Sequence, residues 1–330
     1  MSSENENPEE EKQVTPEEYL LAQKKSIRKK SWWAVGIGGF IVFVHLGWLV
    51  LFAVLGGNPD FSVLFRSIFF VLGLFALAAG IWGLYYAKNL NLEELIPSAG
   101  AVEFLEQSQA TSRYYTFVLA GCIAAVFLAQ LSAGLEESIL AAGFVKEDVI
   151  GKGEYWRILT GGTLHGGFLH IYFNSQALFG IASMIEVLSN RAHLAIVFLL
   201  SVIGGGLLSL AFMPTGQVVG ASGGIMGLIG YLAVYGYRRK AQLPPGFLKT
   251  VLINIGFIAA FGLIAYQIID NFSHAGGLII GALYGFVQVP KDLSQDPRKV
   301  GRFIEITGIA ALAIYIAEAA FAIFRISELS

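Results

Sequence analysis

Nine stretches of this chain carry enough consecutive apolar residues to cross the hydrocarbon layer of a bilayer as a helix, which takes about 20. They lie at 34–56, 67–87, 114–134, 169–188, 193–213, 222–239, 249–267, 272–288 and 302–324. Those at 222–239 and 272–288 are short and rich in glycine, so hydropathy alone ranks them lower. Two connections break the rhythm. Residues 135–164 form a connection too long for a structureless connector in a compact protein. Residues 88–113 form a linker holding Asn91, Leu92, Glu93 and Glu94. Ahead of the first apolar stretch, Thr15-Pro16-Glu17-Glu18 has the form of a capping box with proline at the first helical position. A short helix is expected to run from there into Lys24, Lys25, Arg28, Lys29 and Lys30.

Composition supports the same reading. Of 330 residues 55% are apolar and 14% charged, against about 25% charged in ordinary soluble domains. Mean hydropathy is +0.64. An all-α, polytopic integral membrane protein is therefore expected. Met1–Glu18 is acidic and polar, unlike a secretory signal, which starts basic and turns apolar early. No stretch is long enough for a soluble domain with its own core, and no internal repeat stands out. That, with almost no charge at mid-span, argues against a transporter built on inverted repeats. The single cysteine, Cys122, excludes an intrachain disulfide and lies in an apolar run, where packing is its expected role.

The net charge of −2 says little, but its distribution orients the chain. With the N-terminus inside, 17 of the 22 Lys and Arg residues fall on the inner side of the nine spans, as cytoplasmic enrichment of both requires. The cations left outside are Arg66, Lys146, Lys152, Arg157 and Arg325. The expected topology has a cytoplasmic N-terminus and an outer C-terminus. Along the chain the expected order is a polar tail over 1–31, two spans as a hairpin with a linker over 32–113, six spans over 114–290, and a linker with one further span over 291–330.

Polar residues at membrane depth are functional candidates by default. In this topology Ser222, His274, His170 and Asn174 all fall at a similar shallow depth in the outer leaflet, on three different helices. His170 and Asn174 are four apart, on one helical face. Gly223 and Gly227 are four apart, as are Gly277, Gly281 and Gly285, a spacing that lets helix backbones approach closely in lipid. Such packing brings the start of the helix at Ser222 beside the start of the helix at His274. A Ser hydroxyl within reach of a His ring is the minimum for nucleophilic catalysis.

These residues resemble the rhomboid family of intramembrane serine proteases, over roughly 114–290 and six of the nine spans. Glu154-Tyr155-Trp156-Arg157 resembles the family's Trp-Arg loop motif. His165 to Asn174 resembles the start of its second core helix. Gly220-Ala221-Ser222-Gly223 is similar to its nucleophile motif, and His274-Ala275-Gly276-Gly277 with Gly281 to its histidine motif. The resemblance implies Ser222 as nucleophile and His274 as general base, then acid toward the leaving amine. It implies an oxyanion hole of His170, Asn174 and the Ser222 N–H. Gly220 is expected to keep the loop tight, Gly223, Gly277 and Gly281 to allow close packing, and Trp156 and Arg157 to support the long loop. The 249–267 span is the implied substrate gate, with Phe257 and Phe261 shaping its entrance. Met226 stands where the family often has an aromatic residue. The hairpin at 34–56 and 67–87 is less usual for the family, and His45 within it is read as packed or helix-bonded. Asp270 is read as the cap of its helix rather than as a partner of His274.

The implied activity is hydrolysis of peptide bonds in or near transmembrane segments, without cofactor or metal. No H-E-x-x-H, P-loop or nucleic-acid-binding patch is present. The implied partners are transmembrane substrates and the bilayer, with a homo-oligomer left open. The polar N-terminus without a secretory signal and the compact loops suit a prokaryotic plasma membrane, with the active site expected to face outside. The alternative reading is a non-catalytic rhomboid-like protein that binds membrane clients.

Overall fold

The computed structural model describes residues 15–92, 95, 102, 106 and 109–329. Residues 1–14 of the expected polar tail, together with Glu93 and Glu94, lie outside the described residues. The chain divides into two compact units, Met1–Pro97 and Ser98–Ser330. A helix stands at each of the nine apolar stretches.

In the first unit, α1 (Pro16–Val54) and α3 (Ile68–Asn89) form an antiparallel hairpin, with the single turn α2 (Ser62–Arg66) at its tip. The capping box is present: the Thr15 hydroxyl accepts from the Glu18 N–H, and the Glu18 carboxylate accepts from the Thr15 N–H. From that cap α1 runs unbroken through the basic stretch into the membrane span, so the expected short helix and first span are one element of 39 residues. No proline or polar turn interrupts it, so nothing ends the helix between them. Small residues set the hairpin spacing. A Cβ on Gly38 would stand 2.6 Å from the Gly73 carbonyl, and one on Gly80 would stand 2.7 Å from that of Ser31. His45 bonds its own helix through Nδ1 to the Ile41 carbonyl (2.8 Å) and reaches the Ser67 hydroxyl through Nε2 (2.9 Å).

The first long helix of the second unit is α4 (Tyr114–Ala133). The long connection that follows folds into α5 (Leu135–Ala142), the two-residue strand β1 (Phe144–Val145), α6 (Lys146–Lys152) and α7 (Arg157–Thr160). The bundle continues with α8 (Phe168–Leu188) and α9 (Arg191–Phe212). Strand β2 (Gln217–Val218) then leads into α10 (Ser222–Arg238). The last three helices are α11 (Phe247–Ile264), α12 (Asn271–Gln288) and α13 (Arg302–Ser327). β1 and β2 pair antiparallel, with Phe144 opposite Val218 and Val145 opposite Gln217.

By length and composition, seven of the nine helices suffice to cross a membrane. The other two are α10 and α12, the short glycine-rich ones. α10 faces protein, burying 13 of its 17 residues, and α12 buries one face, with Ser273, Gly276, Gly277, Gly281 and Gly285. α9, α10 and α12 meet through glycines. A Cβ on Gly277 would collide with the Gly223 carbonyl, one on Gly281 with that of Gly227, and one on Gly276 would stand 2.7 Å from that of Gly204. Around this contact Leu178, Ile185, Leu194, Phe198, Leu228 and Tyr231 form the main apolar core. Cys122 packs against that core, half-buried. α13 closes the bundle with Tyr315, which meets Phe198 edge-on at 5.2 Å between ring centres.

Candidate active site

Ser222 is the first residue of α10, and His274 lies in the first turn of α12. The glycine contact holds these two starts together, and Ser222 Oγ stands 2.8 Å from His274 Nε2. The His274 Nδ1 is buried and has no hydrogen-bond partner among the described residues. With the ring proton on Nδ1, Nε2 accepts from the Ser hydroxyl, the geometry that a general base requires. The Ser222 N–H is one of the four that α10 leaves without a helical acceptor.

Gly220 shows how the neighbouring groups come together. Its φ is +122°, a conformation that L side chains rarely adopt. A Cβ there would stand 2.7 Å from His170 Nε2 and 3.9 Å from Asn174 Nδ2. The missing side chain therefore leaves a space two residues before Ser222 that is bounded by these two groups. His170 Nδ1 accepts from the Gly166 N–H at 3.3 Å, which puts the proton of the neutral ring on Nε2, toward that space. Asn174 spends one amide proton on the His170 carbonyl (3.0 Å), and its Oδ1 is buried without a partner among the described residues. Ser222, His274, His170, Asn174 and Gly220 thus converge.

The remaining candidates surround this group. Gly223 and Gly277 form the close contact just behind the Ser–His pair, and Gly281 repeats it one turn deeper. Arg157 is buried in the long loop. It donates to Glu154 (2.5 Å) and to the carbonyls of Leu140 (3.1 Å) and Gly143 (3.0 Å), and pairs with Asp148 at 3.2 Å. The hydrogen bond from Lys152, with Arg157 nearby, holds the Asp148 carboxyl below the usual carboxylate range. The Trp156 ring carries the Arg157 guanidinium at 4.6 Å and that of Arg325 at 5.3 Å, with Phe321 edge-on at 5.1 Å. Phe257 and Phe261 lie one turn apart in the second half of α11, the first exposed and the second half-buried. Met226 is buried in the core. Asp270 caps α12 by accepting from the Ser273 N–H (2.9 Å), and its carbonyl accepts from the His274 N–H (3.1 Å), but its carboxylate makes no hydrogen bond to the His274 ring.

Two further polar residues inside spans act on the backbone of the bundle, Gln130 beside the site and Glu186 at the other end of α8. Gln130 clasps the backbone of His165, accepting from its N–H (2.9 Å) and donating to its carbonyl (3.0 Å). The His165 ring is fully buried, 5.1 Å from that of His170. Glu186 accepts from the N–H groups of Tyr115 (3.0 Å) and Thr116 (3.1 Å), capping α4 from a neighbouring helix. Gln130 and Glu186 are polar residues inside apolar spans, and that signal could have marked them. Lys146, in the long loop, carries no such mark.

Fold and site together define a multi-pass helical membrane protein with a Ser–His pair at one end of two glycine-packed helices. A Rhomboid domain is matched over residues 152–291. The chain is 33% identical over 160 residues to "Rhomboid protease GluP" of Bacillus subtilis, covering 47% of this chain and 31% of that protein. It is 34% identical over 171 residues to "RHOMBOID-like protein 6, mitochondrial" of Arabidopsis thaliana, covering 49% and 52%. It is 32% identical over 143 residues to "Putative rhomboid protease YdcA" of Bacillus subtilis, covering 43% of this chain and 71% of that one. The match spans about a third of the first of these relatives and about half of the second. The chain belongs to the rhomboid family.

Proposed function

We propose that this protein is an intramembrane serine endopeptidase. The observation that supports the reading best is the 2.8 Å contact between Ser222 Oγ and His274 Nε2. His274 takes the Ser222 proton as Oγ attacks the carbonyl carbon of the scissile bond. The carbonyl oxygen becomes an oxyanion held by the Ser222 N–H, the His170 Nε2–H and the Asn174 amide, donors aimed at charge that develops only in the transition state. His274 returns the proton to the leaving amine, and water, deprotonated by the same ring, then releases the acyl group from Ser222. The substrate is a transmembrane segment that unwinds at its outer end, entering past α11. The site faces outside if the Lys and Arg distribution sets the topology. A client-binding protein without catalysis has no need of a Ser hydroxyl bonded to an imidazole that lacks any other partner among the described residues.

The test is cleavage of a model transmembrane substrate by purified full-length protein in detergent or bicelles. Ser222→Ala and His274→Ala are each expected to abolish it, with a loss of at least a thousandfold. Cleavage by Ser222→Ala at the parent rate would overturn the mechanism.

A further inference from the structure

The pair Ser222 and His274 belongs to two separate segments, and one short stretch of the long loop touches both. Phe144 and Val145 pair with Val218 and Gln217, in the segment that leads to Ser222. The Lys146 N–H donates to the Gly216 carbonyl (3.1 Å), and the Gly216 N–H donates to the Glu147 carboxylate (2.8 Å). That N–H holds the Glu147 carboxyl below the usual glutamate range. A little further on, the Gly220 N–H donates to the Gly161 carbonyl (2.9 Å) of the same loop. The approach to the nucleophile is therefore anchored at Gly216, along β2 and at Gly220.

The same stretch reaches the histidine side through Lys146. Its side chain is 1% exposed, and its ammonium stands 3.5 Å from the Asp270 carboxylate. Asp270 caps α12 four residues before His274 and also accepts from the Ser209 hydroxyl of α9. A buried ammonium is expensive without a counter-charge, and among the described residues Asp270 is its ion-pair partner. The aliphatic stem runs from a backbone bonded to the nucleophile segment to a head bonded to the cap of the histidine helix.

We propose that Lys146 is a positioning residue: it ties the segment before Ser222 to the N-cap of the helix bearing His274, and so sets the separation of the pair. The inference rests on the catalytic reading above. The Lys146 ammonium bonds Asp270 and neither Ser222 nor the His274 ring, so its effect runs through their separation and is expected in kcat. Catalysis of this kind is sensitive to shifts of about an ångström, so a modest movement of the α12 start is enough.

Cleavage kinetics of the full-length protein test it, with Ser222→Ala as control. Lys146→Met is expected to lower kcat about tenfold with KM within twofold, and to slow labelling of Ser222 by a fluorophosphonate to a similar degree. Lys146→Arg is expected to restore most of the rate, because the charge and reach remain. Lys146→Met combined with Asp270→Asn is expected to lose no more than either single change, since both break the same contact. If Lys146→Met does not fold, the double variant is compared with Asp270→Asn alone. Equal rates support the proposal, and a further tenfold loss overturns it. It is also overturned by an unchanged kcat for Lys146→Met, by an equal loss in Lys146→Arg, or by additive losses in the double variant. Activity that survives in Ser222→Ala refutes the catalytic reading itself. An inactive control with an unaffected Lys146→Met refutes only the role of Lys146.

Discussion

Helices α11 and α12 are consecutive in the chain and 18 residues long each, yet they occupy opposite situations. α11 is apolar enough to be read as a membrane span, and it buries only Val251 and Gly262. α12 falls short of that standard, carries Ser273, His274 and four glycines, and packs backbone to backbone against α9 and α10. In a bilayer the apolar signal marks what faces lipid, because lipid tails reward apolar side chains wherever they point outward. A helix face packed against other helices is released from that demand and can carry polar chemistry: α12 buries Ser273 and its glycines, while Phe272, Ile279, Leu283, Phe286 and Val287 stay exposed. Helix–helix attraction in lipid then comes from close packing, which favours glycine. The weaker hydropathy of α12 thus belongs to the face it packs against α9 and α10, and the strength of α11 is that of a helix with almost no such face.

The contrast can be broken at several points. Gly281→Leu is the most severe change: its side chain would meet the Gly227 carbonyl, backbone that cannot yield as a flexible side chain would. Little folded protein is expected in size-exclusion chromatography. A monodisperse, active variant would refute the tight α10–α12 contact. Next is Arg157→Met, which strips the buried guanidinium from Asp148 and Glu154. Breaking one side of such a network typically costs about 3–5 kcal/mol, so the SDS-unfolding midpoint should fall clearly. An unchanged midpoint would remove the loop from the stabilising framework.

Acidification should loosen the same loop by a smaller step. Glu147 and Asp148 have lowered folded-state pKa values. Their contribution is present at neutral pH and lost as pH falls through and below the ordinary carboxylate range. Hydrogen exchange, corrected for intrinsic rates, should show the Gly216–Val218 amides losing protection in acid before those of α12. Simultaneous loss would count against a local role for these carboxylates. The smallest effect on stability is expected for Phe257→Ala on α11, within about 0.5 kcal/mol, as for exposed positions generally. If α11 is the entrance, the same change alters kcat/KM for a transmembrane substrate severalfold and leaves fluorophosphonate labelling of Ser222 unchanged. Equal effects on both would remove α11 from substrate entry.

Among the described residues, the nine long helices were legible as apolar stretches, and the Ser, His and Asn positions could be placed at one depth by counting turns. The glycine spacings pointed to the contact that joins Ser222 to His274. The loop over 135–164 was legible only as too long to be structureless. Its two-residue strand, its short helices and the Arg157 network are built from side chains with no periodic pattern. Lys146 had been grouped with the cations outside the spans, because charge counting cannot tell a solvated lysine from one buried against a carboxylate. Gln130 and Glu186 act on backbone groups 35 and about 70 residues distant, a separation that no local pattern encodes.

By itself, then, the sequence determined the helices, their membrane character and the residue types able to form a Ser–His pair. Hydrophobic periodicity, glycine spacing and turn chemistry are local properties, carried by neighbours along the chain. Tertiary structure alone decided which polar groups became anchors, how the Gly220 φ of +122° opens a space toward His170 and Asn174, and how Lys146 links the two halves of the site. Those outcomes depend on distances between segments far apart in sequence, and only the packing of the whole bundle sets them.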